Sequence, residues 1–515
     1  MPELRLSWPD VTVVVVYVVG VRVALGWYLS RAVRAGGSEE YFLAGRSLRW
    51  PLIGLSFYVA NMSGSTFVGL PGTAYADGIA VYHYEWMAAP IMVLFVLVFL
   101  PAFLRARVYT APQYLEHRFD RRMRLVFSGF LLFANVFIDA AAALYAGATV
   151  IRVVLPGVPL EVTIVVISLM AGVYIVAGGL GAVVLNDALQ ALLVAVGGIV
   201  ILVLTWRAIP SWDAVTAAVP ARNLHLMLPA DDPFLPWPGL VSGVLIIGVY
   251  FWCTNQFMIQ RALGARSLED ARKGALLAGF LKLPNLFLLV LPGVMAVALF
   301  PDLERPDLVF PTLAFELLPA GLRGFMIAAL AAAILSSLEA ILNSAATLFT
   351  VDFVQGMRPG LDDRGLLRVG RIATIGFTLL AAAWAPQIER FPTLWQYLQS
   401  ILAYITPPAV VVFLAGILWR RTDARGALAG FVGGFGIGVA GWVLNELLGV
   451  TELHYLYAAG LVFALSAILV VAVSLLGEAP AERALTTWEW VGLGSSRLPT
   501  LVLLGLCLVV VLWWW

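Results

Sequence analysis

The sequence is short of charge and almost without lysine, cysteine or histidine. Only 12% of its 515 residues are Asp, Glu, Lys or Arg, 61% are hydrophobic, and mean hydropathy is +0.93. Soluble domains carry about 25% charged residues, so a water-soluble enzyme or scaffold is excluded. A formal net charge of +1 offers no basic surface to nucleic acid. Its two cysteines, Cys253 and Cys507, lie in apolar runs and read as small core residues, not as a disulfide or metal framework. No nucleophile–base or metal-ligand spacing occurs at a common depth, so an enzyme is not expected.

What fills the chain instead is apolar runs of about 20 residues, the length that crosses a bilayer core. They fall at 10–31, 51–77, 81–105, 123–153, 160–178, 183–207, 239–261, 273–300, 321–356, 366–388, 394–419, 425–447, 453–476 and 498–514. The run from Val11 has no small-residue cleavage site and continues to Leu29, so it reads as a first helix. With the loop after it taken as cytoplasmic, that side and its span edges hold 23 of the 32 Lys and Arg. The outer side holds seven, and Arg22 and Lys282 sit inside spans. Positive charge marks the inside, which predicts both termini external. Residues 208–238 and 301–320 read as ordered external loops, 477–497 as the main cytoplasmic linker, and Trp513 to Trp515 as an interfacial anchor toward membrane lipid. Arg outnumbers Lys 30 to 2, which suggests a GC-rich bacterial source and so the inner (plasma) membrane.

Polar residues inside these runs are the informative ones, because an ionisable group in a span costs roughly 2.5–3.5 kcal/mol on insertion scales. Residues 52–70 have the length of a span, yet Asn61, Ser63, Gly64, Ser65 and Thr66 interrupt it. Such a break survives where it lines a cavity or packs on protein, and solute transporters place sites there. Glu85 is either an interfacial carboxylate or a site residue at the start of the third span, where it follows Tyr84. Asp139, in mid-span, needs a buried partner or a cavity. Lys282 lies about nine residues inside its span, some 13 Å of rise, so a binding role is favoured over snorkelling. Asp187 suits a helix cap, and Arg22 is assigned no function. In the ninth span Ser336 and Ser337 offer adjacent hydroxyls, and Glu339 and Asn343 share a face. Tyr250 to Gln256 set aromatics beside amides, a combination that suits a sugar-like ligand.

Several strings together resemble the solute:sodium symporter family, and within it the sodium/glucose cotransporter branch. They are residues 40–47 (Glu40 to Ser47), Asn61 with 67–70, Glu85-Trp86, 235–239, 252–256, 321–324, 336–338, 343–352 and 397–400. The resemblance implies an all-α integral membrane fold of about fourteen helices. At its core are two inverted five-helix repeats, 51–207 and 239–419, each opening with a discontinuous helix, broken near Asn61 and near Trp252. Residues 1–50 would form a first peripheral helix and cytoplasmic loop, 208–238 an external loop, and 420–515 three peripheral helices. It further implies a sugar site of Asn61, Glu85, Trp252, Lys282 and Gln399, with Tyr84, Thr66 and Phe251 beside it. Sodium, the co-transported ion, would be held by the carbonyls of Val59, Met62 and Ala333 and the hydroxyls of Ser336 and Ser337.

Three positions depart from the family pattern. Thr66 stands where a sugar-contacting His or Gln is usual, and Phe251 where the inner gating residue is Tyr. Glu339 replaces a hydroxyl of a second sodium site whose Asp187 is kept, so Glu339 is expected to carry a proton or to contact Asp187. The reading is a sodium-coupled symporter importing a monosaccharide of the glucose or galactose kind by alternating access. A symporter for another polyol such as inositol, sodium- or proton-coupled, is the alternative, and a ligand-gated channel or sensor on the same fold is a third reading.

Overall fold

The computed structural model describes residues 7–16, 20, 43–154, 157–358, 360–391, 394–477 and 496–514. Most of the expected first span, with Arg22, most of the linker 477–497, and Trp515 lie outside these residues. Helices are α1 (Trp8–Val15), α2 (Trp50–Asn61), α3 (Gly64–Asp77), α4 (Ile79–Ala106), α5 (Arg121–Ile151), α6 (Leu160–Ala208), α7 (Trp237–Thr254), α8 (Gln256–Leu263) and α9 (Leu268–Leu299). They continue as α10 (Leu322–Met357), α11 (Arg364–Arg390), α12 (Leu394–Ile405), α13 (Pro407–Leu418), α14 (Ala424–Leu447), α15 (Tyr455–Leu476) and α16 (Arg497–Trp514).

Local sequence explains where these helices begin. Asp120 accepts from Met123 N to cap α5, Ser267 from Asp270 N to cap α9, and Asp423 from Gly426 N to cap α14. Trp50-Pro51 opens α2, where proline's missing N–H costs nothing.

Among the described residues nine helices are long and apolar enough to cross a membrane alone, and α12 with α13, bent by 46°, makes up to ten. The fourteen expected runs exceed this for definite reasons. The run 51–77 is split between α2 and α3, neither long enough alone. The runs 160–178 and 183–207 form one helical element, α6. Gly178, Gly179 and Gly181 lower helix propensity there, but only proline would remove a backbone donor. The last run, α16, is a shorter apolar helix, and the first lies mostly outside the described residues.

The broken helices sit at the centre. α2 packs on α6, α8, α9 and α10, while α3 packs on α5 and the second half of α9. A short parallel bridge, Leu48 N to Gly264 O at 3.1 Å and Arg266 N to Leu48 O at 3.1 Å, ties the start of α2 to the end of α8. Peripherally, α14 and α15 meet along glycines spaced four apart. A Cβ on Gly426 or Gly434 would lie 1.9 or 2.0 Å from the Ser474 or Ser466 hydroxyl, and one on Gly438 would lie 1.9 Å from Tyr404 O. Small residues on one face let helix backbones approach where lipid gives no hydrophobic drive to associate. Replacing Gly438 with Val should therefore destabilise the protein by about 1–3 kcal/mol, read as a lower melting temperature in detergent, whereas Gly436→Val, with open space around it, should change little.

Candidate functional site

The first break falls at Met62 (φ −80°, ψ 62°) and Ser63 (φ −79°, ψ 173°), both outside helical geometry. Its polar residues satisfy part of what the break exposes. Asn61 O accepts from Ser63 N at 2.9 Å and from the Thr66 hydroxyl at 2.7 Å, and Met62 N donates to Val59 O at 2.9 Å. Gly64 is required by proximity, since a Cβ there would stand 2.5 Å from Ile334 and 2.9 Å from Ala146. The second break comes at Asn255 (φ −72°, ψ 128°), three residues beyond Trp252, after a π-helical turn over Tyr250–Thr254.

Between the two breaks lies a cavity of about 110 Å³, more than the ~10–15 Å³ that admits one water. Asn61, Thr66, Tyr84, Glu85, Phe251, Trp252, Gln399 and Asp139 all line it. Seven of the eight residues expected at the substrate are thus brought together, Asp139 joins them, and Lys282 stands behind the wall. Lys282 Nζ donates to Glu85 Oε2 at 2.7 Å, and lies 5.7 Å from the Trp252 ring and 5.8 Å from that of Tyr58. Both charges are buried in the protein, at 0% and 3% exposure, so Lys282 does not snorkel to solvent and Glu85 is not a solvated carboxylate. Asn285 donates to the same Glu85 oxygen at 2.5 Å and accepts from the Tyr58 hydroxyl at 2.9 Å.

Other members of the wall are positioned by their own helices. Gln399 and Trp395 are one turn apart on α12. Gln399 Oε1 and Trp395 Nε1 are buried without a hydrogen-bond partner among the described residues. Tyr84 packs edge-on against Trp395 at 5.3 Å and shares a 2.8 Å hydrogen bond with Tyr455 of α15. The aromatic–amide cluster divides. Phe251 and Trp252 face the cavity, whereas Gln256 accepts from Ala111 N at 2.8 Å and donates to Tyr109 O at 3.2 Å. The amide of Gln256 is therefore spent on chain packing.

Val59, Met62, Ala333, Ser336 and Ser337 are fully buried where α2 meets α10. Ser337 Oγ has no partner among the described residues, while Ser336 Oγ donates to Asp187 Oδ1. Asp187 does not cap its helix. Its Oδ2 takes the Ser56 hydroxyl and, at 3.1 Å, Arg261 Nη2, and Arg261 Nε donates to Ser56 Oγ at 2.7 Å. Glu339 lies buried less than a turn beyond Ser336 on α10. Arg261, Ser56, Asn285 and Trp395 were not singled out from the sequence. Arg261 is a cation at the end of an apolar run and was counted as a cytoplasmic span edge, yet it is 1% exposed.

Comparison with known proteins places this geometry. The model of the sodium:solute symporter family matches residues 41–434. The chain is 33% identical to sodium/glucose cotransporter 4 of Danio rerio, over 95% of this chain and 82% of that protein. It is also 33% identical to sodium/glucose cotransporter 1 of Oryctolagus cuniculus, over 90% and 78%. Sodium/myo-inositol cotransporter 2 of Homo sapiens is 32% identical over 95% and 80%. Among solved structures, the substrate-bound outward-open state of a sodium-coupled sialic acid symporter superposes with a TM-score of 0.80 at 22% identity, over 92% of this chain and 99% of that one. The inward-facing conformation of Mhp1 gives 0.53 at 12% identity, over 85% and 95%.

Removing one member of a buried ion pair leaves the other charge uncompensated, at a cost of about 3–5 kcal/mol. Arg261→Met should lower the melting temperature in detergent strongly. The double variant Asp187→Asn with Arg261→Met should recover a large part of that loss; if it melts no higher than Arg261→Met alone, the two charges are not energetically coupled.

Proposed function

The chain belongs to the sodium:solute symporter family, a multi-pass membrane family of transporters, and from that premise we propose that it imports a monosaccharide of the glucose or galactose kind with sodium. Sodium is the co-transported ion. One observation carries the substrate reading: the cavity between the breaks is walled by Asn61, Glu85, Trp252 and Gln399, and the Gln399 carbonyl oxygen in that wall has no partner among the described residues. A hydroxyl-rich ligand supplies the donor that this oxygen lacks. Asn61 and Glu85 hydrogen-bond further hydroxyls, Trp252 covers the apolar face of the ring, and Tyr84 and Phe251 close the cavity. Lys282 acts from behind by fixing the Glu85 carboxylate. Thr66, whose hydroxyl is given to Asn61 O, shapes the site more than it binds in it.

Sodium sits among the carbonyls of Val59, Met62 and Ala333 and the hydroxyls of Ser336 and Ser337. A hard cation wants several oxygens, and the unpartnered Ser337 hydroxyl supports this placing. Sodium bound there joins broken α2 to α10 and favours the outward-open state. Sugar then closes the outer gate, and repeats 51–207 and 239–419 rock to open inward. Glu339 is the group for a proton in place of a second sodium. The protein works in the plasma membrane with both termini outside. A polyol substrate is the second reading, favoured by the 32% identity to a sodium/myo-inositol cotransporter.

Purified protein in proteoliposomes should concentrate labelled glucose or galactose only under an inward sodium gradient, and equal uptake without it would sink the symport reading. Ser337→Ala should raise the sodium concentration for half-maximal uptake about tenfold, the loss of one charge-assisted contact. Gln399→Ala should instead raise the sugar KM by about tenfold. Equal losses toward both ligands in both variants would point to misfolding.

A further inference from the structure

Asp139 has no evident task in binding a neutral sugar. It projects from the π-helical turn Ala134–Ala140 of α5 into the cavity wall, and π-turns inside α-helices recur at functional sites. Its carboxyl is buried and faces the side chain of Asn255 at the second break, whose Nδ2 comes short of a full hydrogen bond; neither Oδ2 nor that Nδ2 has another partner among the described residues. Among the described residues no Lys or Arg lines the cavity, and the carboxylates that do are Glu85 and Asp139. The nearby ammonium of Lys282 is already given to Glu85 at 2.7 Å. A carboxylate at this depth is costly until a positive charge or a proton meets it.

The surroundings discriminate between the charges that could meet it. A sodium ion needs several oxygen ligands close together, whereas the cavity that Asp139 enters is lined largely by apolar side chains, among them Ala142, Phe251, Ile341, Leu398 and Leu402. Tyr84, Trp252 and Trp395 complete an aromatic lining. Aromatic faces with one carboxylate suit an organic ammonium, through cation–π attraction and a charge-assisted hydrogen bond. Hydroxyl recognition by Asn61 and Gln399 remains available to the rest of the same ligand.

We propose that Asp139 makes the cavity selective for a monosaccharide-like solute that carries an amine, the ammonium seated against Asp139 and the aromatic wall. The proposal rests on the reading of this cavity as a sodium-coupled sugar site and narrows its substrate class. The test is sodium-driven uptake of labelled glucose, glucosamine and N-acetylglucosamine into proteoliposomes, at a pH where the free amine is protonated. The unmodified protein should take up glucosamine with a KM about tenfold or more below the other two. Asp139→Asn should erase that difference and Asp139→Glu should keep it. Sodium-driven uptake that treats glucose and glucosamine alike overturns the proposal while leaving sodium–sugar symport standing. So does an amine preference that survives in Asp139→Asn, or equal uptake stimulated by acid, which would assign a proton to this carboxyl. Absence of sodium-driven uptake for all three sugars overturns the underlying reading and the proposal with it.

Discussion

A helix that stops inside hydrocarbon exposes backbone groups that lipid cannot satisfy. Every distinctive feature at the centre of this protein answers that constraint. At the first break Asn61 O is met by Ser63 N and the Thr66 hydroxyl, and Met62 N by Val59 O. At the second, the Asn255 side chain accepts from Phe257 N, and the backbone N–H of Asn255 reaches back to Tyr250 O at 3.0 Å. What these local bonds leave over lies at a cavity or at the α2–α10 contact, the two places proposed for the ligand and the ion. On that proposal the polar break and the site are one feature seen from two sides.

Buried charge obeys the same logic and adds a mechanical consequence. Glu85 of α4 pairs with Lys282 of α9 at 2.7 Å, Asp187 of α6 with Arg261 of α8 at 3.1 Å, and Arg124 of α5 with Asp352 of α10 at 2.7 Å. Each pair joins a residue from 51–207 to one from 239–419, so each crosses the proposed repeats. Relative motion of the two halves must carry these pairs intact or leave a charge alone in a low-dielectric interior. Pivots near the pairs, with larger movements elsewhere, satisfy both demands. Met62 belongs to both sides of this arrangement. Its backbone is part of the break, while its sulfur lies 3.7 Å from Lys282 Nζ and 3.4 Å from Asn285 Nδ2.

Much of this was legible in the sequence, because membrane burial makes polar exceptions conspicuous. Asn61, Glu85, Lys282 and Asp139 stand out in apolar runs, and the structure gathers three of them at one cavity with the fourth directly behind. Partners were harder to read, since pairing is a property of three-dimensional distance. Asp187 looked like a helix cap because its position in the run gave no hint of Arg261, seventy-four residues later. Gln256 looked like a ligand group beside Trp252, but the chain turns at Asn255 and carries it toward Tyr109. The break in the run 51–77 was legible as well, since Asn61 to Thr66 interrupt it, and the structure divides it there into α2 and α3.

The contact between Tyr84 and Tyr455 carries a consequence for the cavity wall. Tyr84 lines the cavity, yet the hydroxyl that braces it comes from α15, beyond residue 434 where the family pattern ends. One strut of the cavity wall is thus supplied by a helix that lies beyond the family-model match but within the length aligned to the curated relatives. A change at Tyr455 therefore reaches the cavity through Tyr84 without altering any residue that lines it.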